Sequence, residues 1–226
     1  MTRIRIPDVS LVDNTEERVP LVLALDCSGS MDGAPIAALN EGLKALEQDL
    51  KSDPIAAKRV RILVITFGAA SHHEVEVGQW QDVMDFSAPT LEANGTTPTG
   101  AAVGVALDEI EREKAALREA GIAYKRPLLY LMSDGAPTDD WKAMAKRARQ
   151  AEAEHKLSIF PIGVGNEVDT GVLGRFGARG AIQLEGLKFK ELFMWLSASV
   201  KTVSQTTRGQ AAQLPSANSW ASVATS

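Results

Sequence analysis

The residues of this chain best suited to chemistry are oxygen donors in three short stretches. Asp26-Cys27-Ser28-Gly29-Ser30-Met31 follows the unbroken apolar run 19–25, and Ser133-Asp134-Gly135 follows another at 127–132. The third, Asn94-Gly95-Thr96-Thr97-Pro98-Thr99-Gly100, precedes a helical pattern. One carboxylate and two hydroxyls two positions apart, around a glycine turn, can converge on one small cation. A second carboxylate and a threonine hydroxyl can join from the other loops. Such a set suits a hard ion such as Mg²⁺, which takes roughly six oxygens and tolerates water among them. Composition excludes the alternatives. Cys27 is the sole cysteine and there are 3 histidines, so an intrachain disulfide, a four-cysteine zinc site and an iron–sulfur cluster are out. With 24 basic and 29 acidic residues the net charge is −5. That argues against a generic binder of nucleic acid or anionic membrane, which needs concentrated Lys and Arg.

The elements that must position these residues are legible from periodicity. Of the 226 residues 45% are apolar and 23% charged, as in globular proteins. Residues 19–25, 60–67, 127–132 and 157–164 read as buried parallel strands. Residues 72–77 alternate like an antiparallel partner on the sheet edge, and 181–184 reads as a short last strand. Apolar residues recur at helical spacing over 34–51, 100–119, 139–154 and 187–203. Pro161 is in tension with a central strand, since it removes a ladder donor and calls for a gap or bulge on its N–H side. Alternating strands and helices imply right-handed crossovers in an α/β, doubly wound, mostly parallel sheet with one antiparallel edge strand and helices on both faces. Active surfaces of such sheets lie at the carboxyl ends of the strands, where Asp26 and Asp134 fall. The expected organisation is an extension over 1–17, one domain over 18–203, and a mobile Ser/Thr-rich tail over 204–226. No signal peptide or apolar spanning run is visible, and a cytoplasmic protein without membrane contact is expected.

Asp26-x-Ser28-x-Ser30, Thr97 and Asp134-Gly135, in this order and after these elements, resemble the metal-ion-dependent adhesion site of von Willebrand factor A (VWA) domains. The resemblance covers residues 18–203 and implies a Rossmann-like VWA fold. It also implies Mg²⁺ or Mn²⁺, with Ca²⁺ less suited, held by Asp26, Ser28, Ser30, Thr97 and Asp134. The remaining ligand would be an Asp or Glu carboxylate of a protein partner. The stretch from Asp26 to Ala56 and the terminal Phe193-Met194-Trp195-Leu196 further resemble TerY-type bacterial tellurium-resistance and stress proteins. That likeness implies an adaptor working beside a serine/threonine kinase and a metal-dependent phosphatase, in stress response or defence.

A non-catalytic, metal-dependent interaction module is therefore the expected function. A metal-dependent phosphohydrolase is the alternative, but no general base follows from the sequence and position 28 lacks the second aspartate of DxD phosphatases. A purely structural assembly subunit is the other alternative. Cys27 reads as a packed residue. His155 reads as a helix-end residue interacting with the dipole. Asp139 and Asp140 read as opening the next helix, with a contact near the ion as the sharper option. Glu109, Glu111, Glu113 and Lys114 read as a solvated face.

Overall fold

β1 (Val19–Asp26) is buried at all eight positions, as a strand covered on both faces must be. In the computed structural model of the chain it lies inside the sheet, paired in parallel with β2 (Val60–Phe67) and β5 (Leu128–Ser133). The structure describes residues 11, 14–68, 75–165, 168–207, 210, 212–217 and 220–222. β6 (Ser158–Gly163) and β7 (Ile182–Leu184) extend the parallel run. β3 (Val75–Val77) and β4 (Gln81–Asp82) both pair antiparallel with the outer side of β2. The expected edge strand is thus β3, with residues 72–74 outside the described ones. β8 (Ala221–Ser222) adds an antiparallel strand at the far edge, giving the order β3-β2-β1-β5-β6-β7-β8.

The helices cover both faces as the alternation requires. α1 (Ala34–Ser52) and α6 (Phe189–Gln205) pack with Leu21, Leu23 and Leu25 on one face. A one-turn helix, α2 (Ala56–Arg59), leads into β2. α3 (Thr99–Glu119) and α4 (Lys142–Ala153) pack with Val22 and Ala24 on the other. The chain leaves β1 towards one face and β5 towards the other. The cleft between these neighbouring strand ends is the topological switch point, where ligands of open α/β sheets bind.

One local reading holds and two change. Pro161 has the expected gap beside it and costs no ladder bond on the β7 side, because β7 begins opposite Ile162. Its ring instead abuts Gly177, where a Cβ would lie 2.8 Å from Pro161 Cδ. Glu113 and Lys114 are buried rather than solvated. Glu113 Oε1 accepts from Arg61 Nε at 2.6 Å, Arg61 Nη1 donates to Asp82 at 3.0 Å, and Arg18 Nη2 donates to the same carboxylate at 3.1 Å. This ionic cluster staples the amino ends of β1 and β2, far along the strands from the motif loops. Breaking such a buried set is strongly destabilising, because a charge is left without its partner.

The second change concerns residues 204–226, which composition set outside the domain. α6 runs on to Gln205, and Trp220 is 0% exposed with its ring 5.0 Å from Trp195. Glu185 N donates to Trp220 O at 2.8 Å and Trp195 Nε1 to Pro215 O at 2.8 Å. The described part of the segment therefore packs. One aromatic with a matching ring on α6 is enough to anchor a stretch whose average composition is polar. Trp220→Ala is expected to destabilise the protein by ~3 kcal/mol in urea melts, the scale of a buried aromatic truncation. A change within about 0.5 kcal/mol, as at an ordinary surface position, would show that the anchor is not made.

Candidate metal centre

The three loops meet over the switch point. Asp26, the last residue of β1, is 1% exposed. Its Oδ1 accepts the N–H of Ser28 at 2.8 Å and its Oδ2 accepts the hydroxyl of Ser133 at 2.5 Å. The short turn from Ser28 aims Ser30 the same way, with the two hydroxyl oxygens 3.1 Å apart. Both reach Asp134 Oδ1, from Ser28 at 3.4 Å and from Ser30 at 2.8 Å. Of the three neighbouring threonines, Thr96 is exposed and Thr99 is fully buried as the first residue of α3. Thr97 Oγ1 lies 3.7 Å from where a Cβ on Gly135 would stand. The structure thus brings Ser28, Ser30 and Asp134 into direct contact, with Asp26 beneath them and Thr97 beside Gly135.

Backbone bonds fix the loops to one another. Asn94 N donates to Cys27 O at 2.7 Å and Gly29 N to Gly95 O at 3.1 Å. Thr138 N donates to Thr97 O at 2.9 Å, and Thr97 N returns a bond to Thr138 Oγ1 at 3.1 Å. Gly68, just past β2, has φ +102°, and a Cβ there would sit 2.6 Å from both Ser28 N and Thr96 O. Only glycine supplies that backbone angle and that closeness at once. Asp139 does not open α4, as the sequence suggested. It caps α3, accepting from Gly100 N at 3.0 Å and Ala101 N at 2.7 Å. Ser133 and Thr138 were missed as members of this framework, and Asp139, offered as a contact near the ion, joins it through α3. Ser133 alone carried a signal, its place beside Asp134 at a strand's end.

Electrostatics explain what the centre demands. Burial pushes the Asp26 carboxyl up to about 6, against the hydrogen bonds from Ser133 and Ser28, and Asp134 raises it further. Among the described residues no Lys, Arg or His forms an ion pair with Asp26 or Asp134. No three His, Cys, Asp or Glu side chains gather there either. Two close carboxylates without a protein cation, ringed by hydroxyls, are a donor set that fits a hard divalent ion. Cys27 takes no part. Burial pushes its thiol up to about 12, as in an inert packed residue. His155 stands at the end of α4 in the left-handed region, φ +57°, closing the helix.

Comparison with known proteins identifies the family. The von Willebrand factor type A domain matches over residues 21–189, well over half the chain. The chain belongs to the VWA family. A collagen alpha-1(XXI) chain of Xenopus laevis is 26% identical over 153 residues, 66% of this chain and 14% of its own. The pilus adhesin SpaC of Lactobacillus rhamnosus GG superposes with TM-score 0.64 at 13% identity, covering 84% of this chain and 32% of its own. The ArnB paralog VWA2 of Sulfolobus acidocaldarius does so at 0.56 and 17%, covering 82% and 46%. Proximal thread matrix protein 1 of the mussel byssus, in a form with a zinc-occupied MIDAS motif, does so at 0.54 and 13%, covering 83% and 49%. This VWA domain therefore spans less than half the length of each of these relatives, and the solved ones share its fold.

The Asp26 shift fixes a pH dependence. Without metal, the folded carboxyl keeps its proton up to about 6 while the ordinary value is 3.8, so the folded state binds more protons in that window. Stability falls as pH rises through it. In EDTA at neutral pH, Asp26→Asn is expected to raise stability by ~1–3 kcal/mol, since an amide can still accept from Ser28 and pair with Ser133. Thermal melts check this; a variant less stable than the parent at pH 7.5 would contradict it.

Proposed function

We propose that Asp26, Ser28, Ser30, Thr97 and Asp134 hold a divalent cation, Mg²⁺ first and Mn²⁺ second. Through it the VWA domain captures an Asp or Glu carboxylate of a partner protein without catalysing a reaction. The observation that carries this reading is the convergence of Ser28 Oγ and Ser30 Oγ on Asp134 Oδ1 above the buried Asp26. The all-oxygen donors favour a hard ion over zinc. Bound there, the ion supplies electrostatic attraction for an incoming carboxylate. The protein residues do the rest. Ser133 and the Ser28 N–H orient Asp26, and the straps between loops hold the hydroxyls in place before any partner arrives.

A hydrolase is less well supported. The bonds to Asp26 come from a serine and a backbone N–H rather than from a base. The finer setting we propose is a cytoplasmic bacterial adaptor for stress or tellurium resistance, with a Ser/Thr kinase or metal-dependent phosphatase as partner. Its support is the TerY-type resemblance in sequence. Among the described residues no helix is long and apolar enough to cross a membrane.

An affinity pull-down with the intact chain tests the reading. Partner recovery is expected in Mg²⁺, lost in EDTA and lost for Asp134→Ala, with the variant still folded by circular dichroism. Recovery unchanged by EDTA would sink metal bridging. Phosphatase turnover by the purified protein in Mg²⁺ would overturn the non-catalytic assignment.

A further inference from the structure

The chain is acidic overall, yet one surface next to the metal centre is strongly basic. α4 carries Lys142, Lys146 and Arg149 at helical spacing along one side. Facing them is a segment made of α5 (Thr170–Leu173) and the following turn, which contributes Arg175. Between the two runs a groove of about 620 Å³, with Trp141, Ala145 and Val172 as its apolar lining. A second hollow of about 580 Å³ shares Lys146 and Arg149 and brings in Arg126 and Arg179.

Nearby carboxylates are engaged mainly by backbone rather than by Lys142, Lys146, Arg149 or Arg175. Asp169 accepts from Val172 N at 2.9 Å, and Asp139 caps α3. Glu152 accepts from Ile159 N at 3.2 Å and Ala178 N at 2.6 Å, with Arg179 at 3.7 Å. Asp140 precedes Lys142 and opposes one charge of the set. Among the described residues none forms an ion pair with Lys142, Lys146, Arg149 or Arg175. One end of the groove, at Trp141, lies beside the start of α3, just after the loop that carries Thr97. Trp141 ends the loop that starts at Asp134, and its Cα lies 2.7 Å from where a Cβ on Gly100 would stand.

We infer that this groove docks an acidic stretch of the protein partner whose carboxylate the metal centre captures, an inference that rests on the reading above. Charge complementarity selects an Asp/Glu-rich polypeptide. Nucleic acid is disfavoured by the net charge of −5 and by the lack of a free stacking ring, since Trp141 is half-buried against Phe176 at 5.8 Å. Exposed charges act weakly one by one, but several of one sign along a groove steer and hold an opposite chain in a salt-dependent way.

Fluorescence anisotropy of a labelled oligo-glutamate peptide with the intact chain tests the inference. The Lys146→Glu/Arg149→Glu pair is expected to weaken binding by about tenfold or more. Arg147→Glu, at a residue paired with Asp108 instead, should change it by less than about twofold. Both variants are checked by thermal melts, and Lys142→Gln/Arg175→Gln provides a milder pair expected to weaken binding severalfold. Groove-dependent binding that persists in EDTA supports the groove even if metal bridging fails. Binding that vanishes in EDTA but ignores the groove variants overturns the groove alone. No peptide binding, equal loss for Arg147→Glu, or equally tight binding of oligothymidylate also overturns it.

Discussion

The structure turns on a carboxylate placed where water cannot reach it. Asp26 ends the most buried strand of the sheet, and the apolar residues that make β1 central also strip its last side chain of solvent. Desolvation of that kind disfavours the charged form. Two hydrogen bonds offset part of the penalty, while Asp134 adds to it. Above a pH of about 6 the carboxylate is charged at a cost in stability. A cation from outside would relieve that cost, which is the driving force the proposed site offers for binding an ion.

The fold produces this tension by topology. β1 and β5 are neighbours, yet their chains depart to opposite faces, so two loops that begin on adjacent strands open a cleft between them. The threonine loop closes the third side, held by the reciprocal bonds between Thr97 and Thr138 and by the carboxylate of Asp139 on α3. These bonds set the spacing of the loops that carry the candidate ligands. The ionic cluster of Arg18, Arg61, Asp82 and Glu113 at the other end of the same strands leaves the centre's electrostatics to its own carboxylates.

The three candidate loops were legible because each follows an apolar strand or precedes a helix, while the choice of five residues within them, Thr97 among three threonines, came from the resemblance to VWA domains. The mostly parallel sheet followed from the same alternation. What sequence could not show is contact between segments distant along the chain. Asp139 looked like the opening of its own helix but caps another. Glu113 sits in a run of charges that reads as solvated, and its partner Arg61 comes from a strand far upstream. Trp220 was diluted by a polar tail, although one ring against Trp195 suffices to seat it. The basic side of α4 was visible as residues, but only the facing Arg175 and the engaged carboxylates nearby turn it into a groove.

The central claim is that one divalent ion sits among Asp26, Ser28, Ser30, Thr97 and Asp134. Crystals of the protein grown with Mn²⁺ would test it most directly, through the anomalous difference map. The account predicts a single strong peak bounded by the hydroxyls of Ser28, Ser30 and Thr97 and by the two carboxylates. A map without a peak there, or with its strongest peak elsewhere, would contradict it.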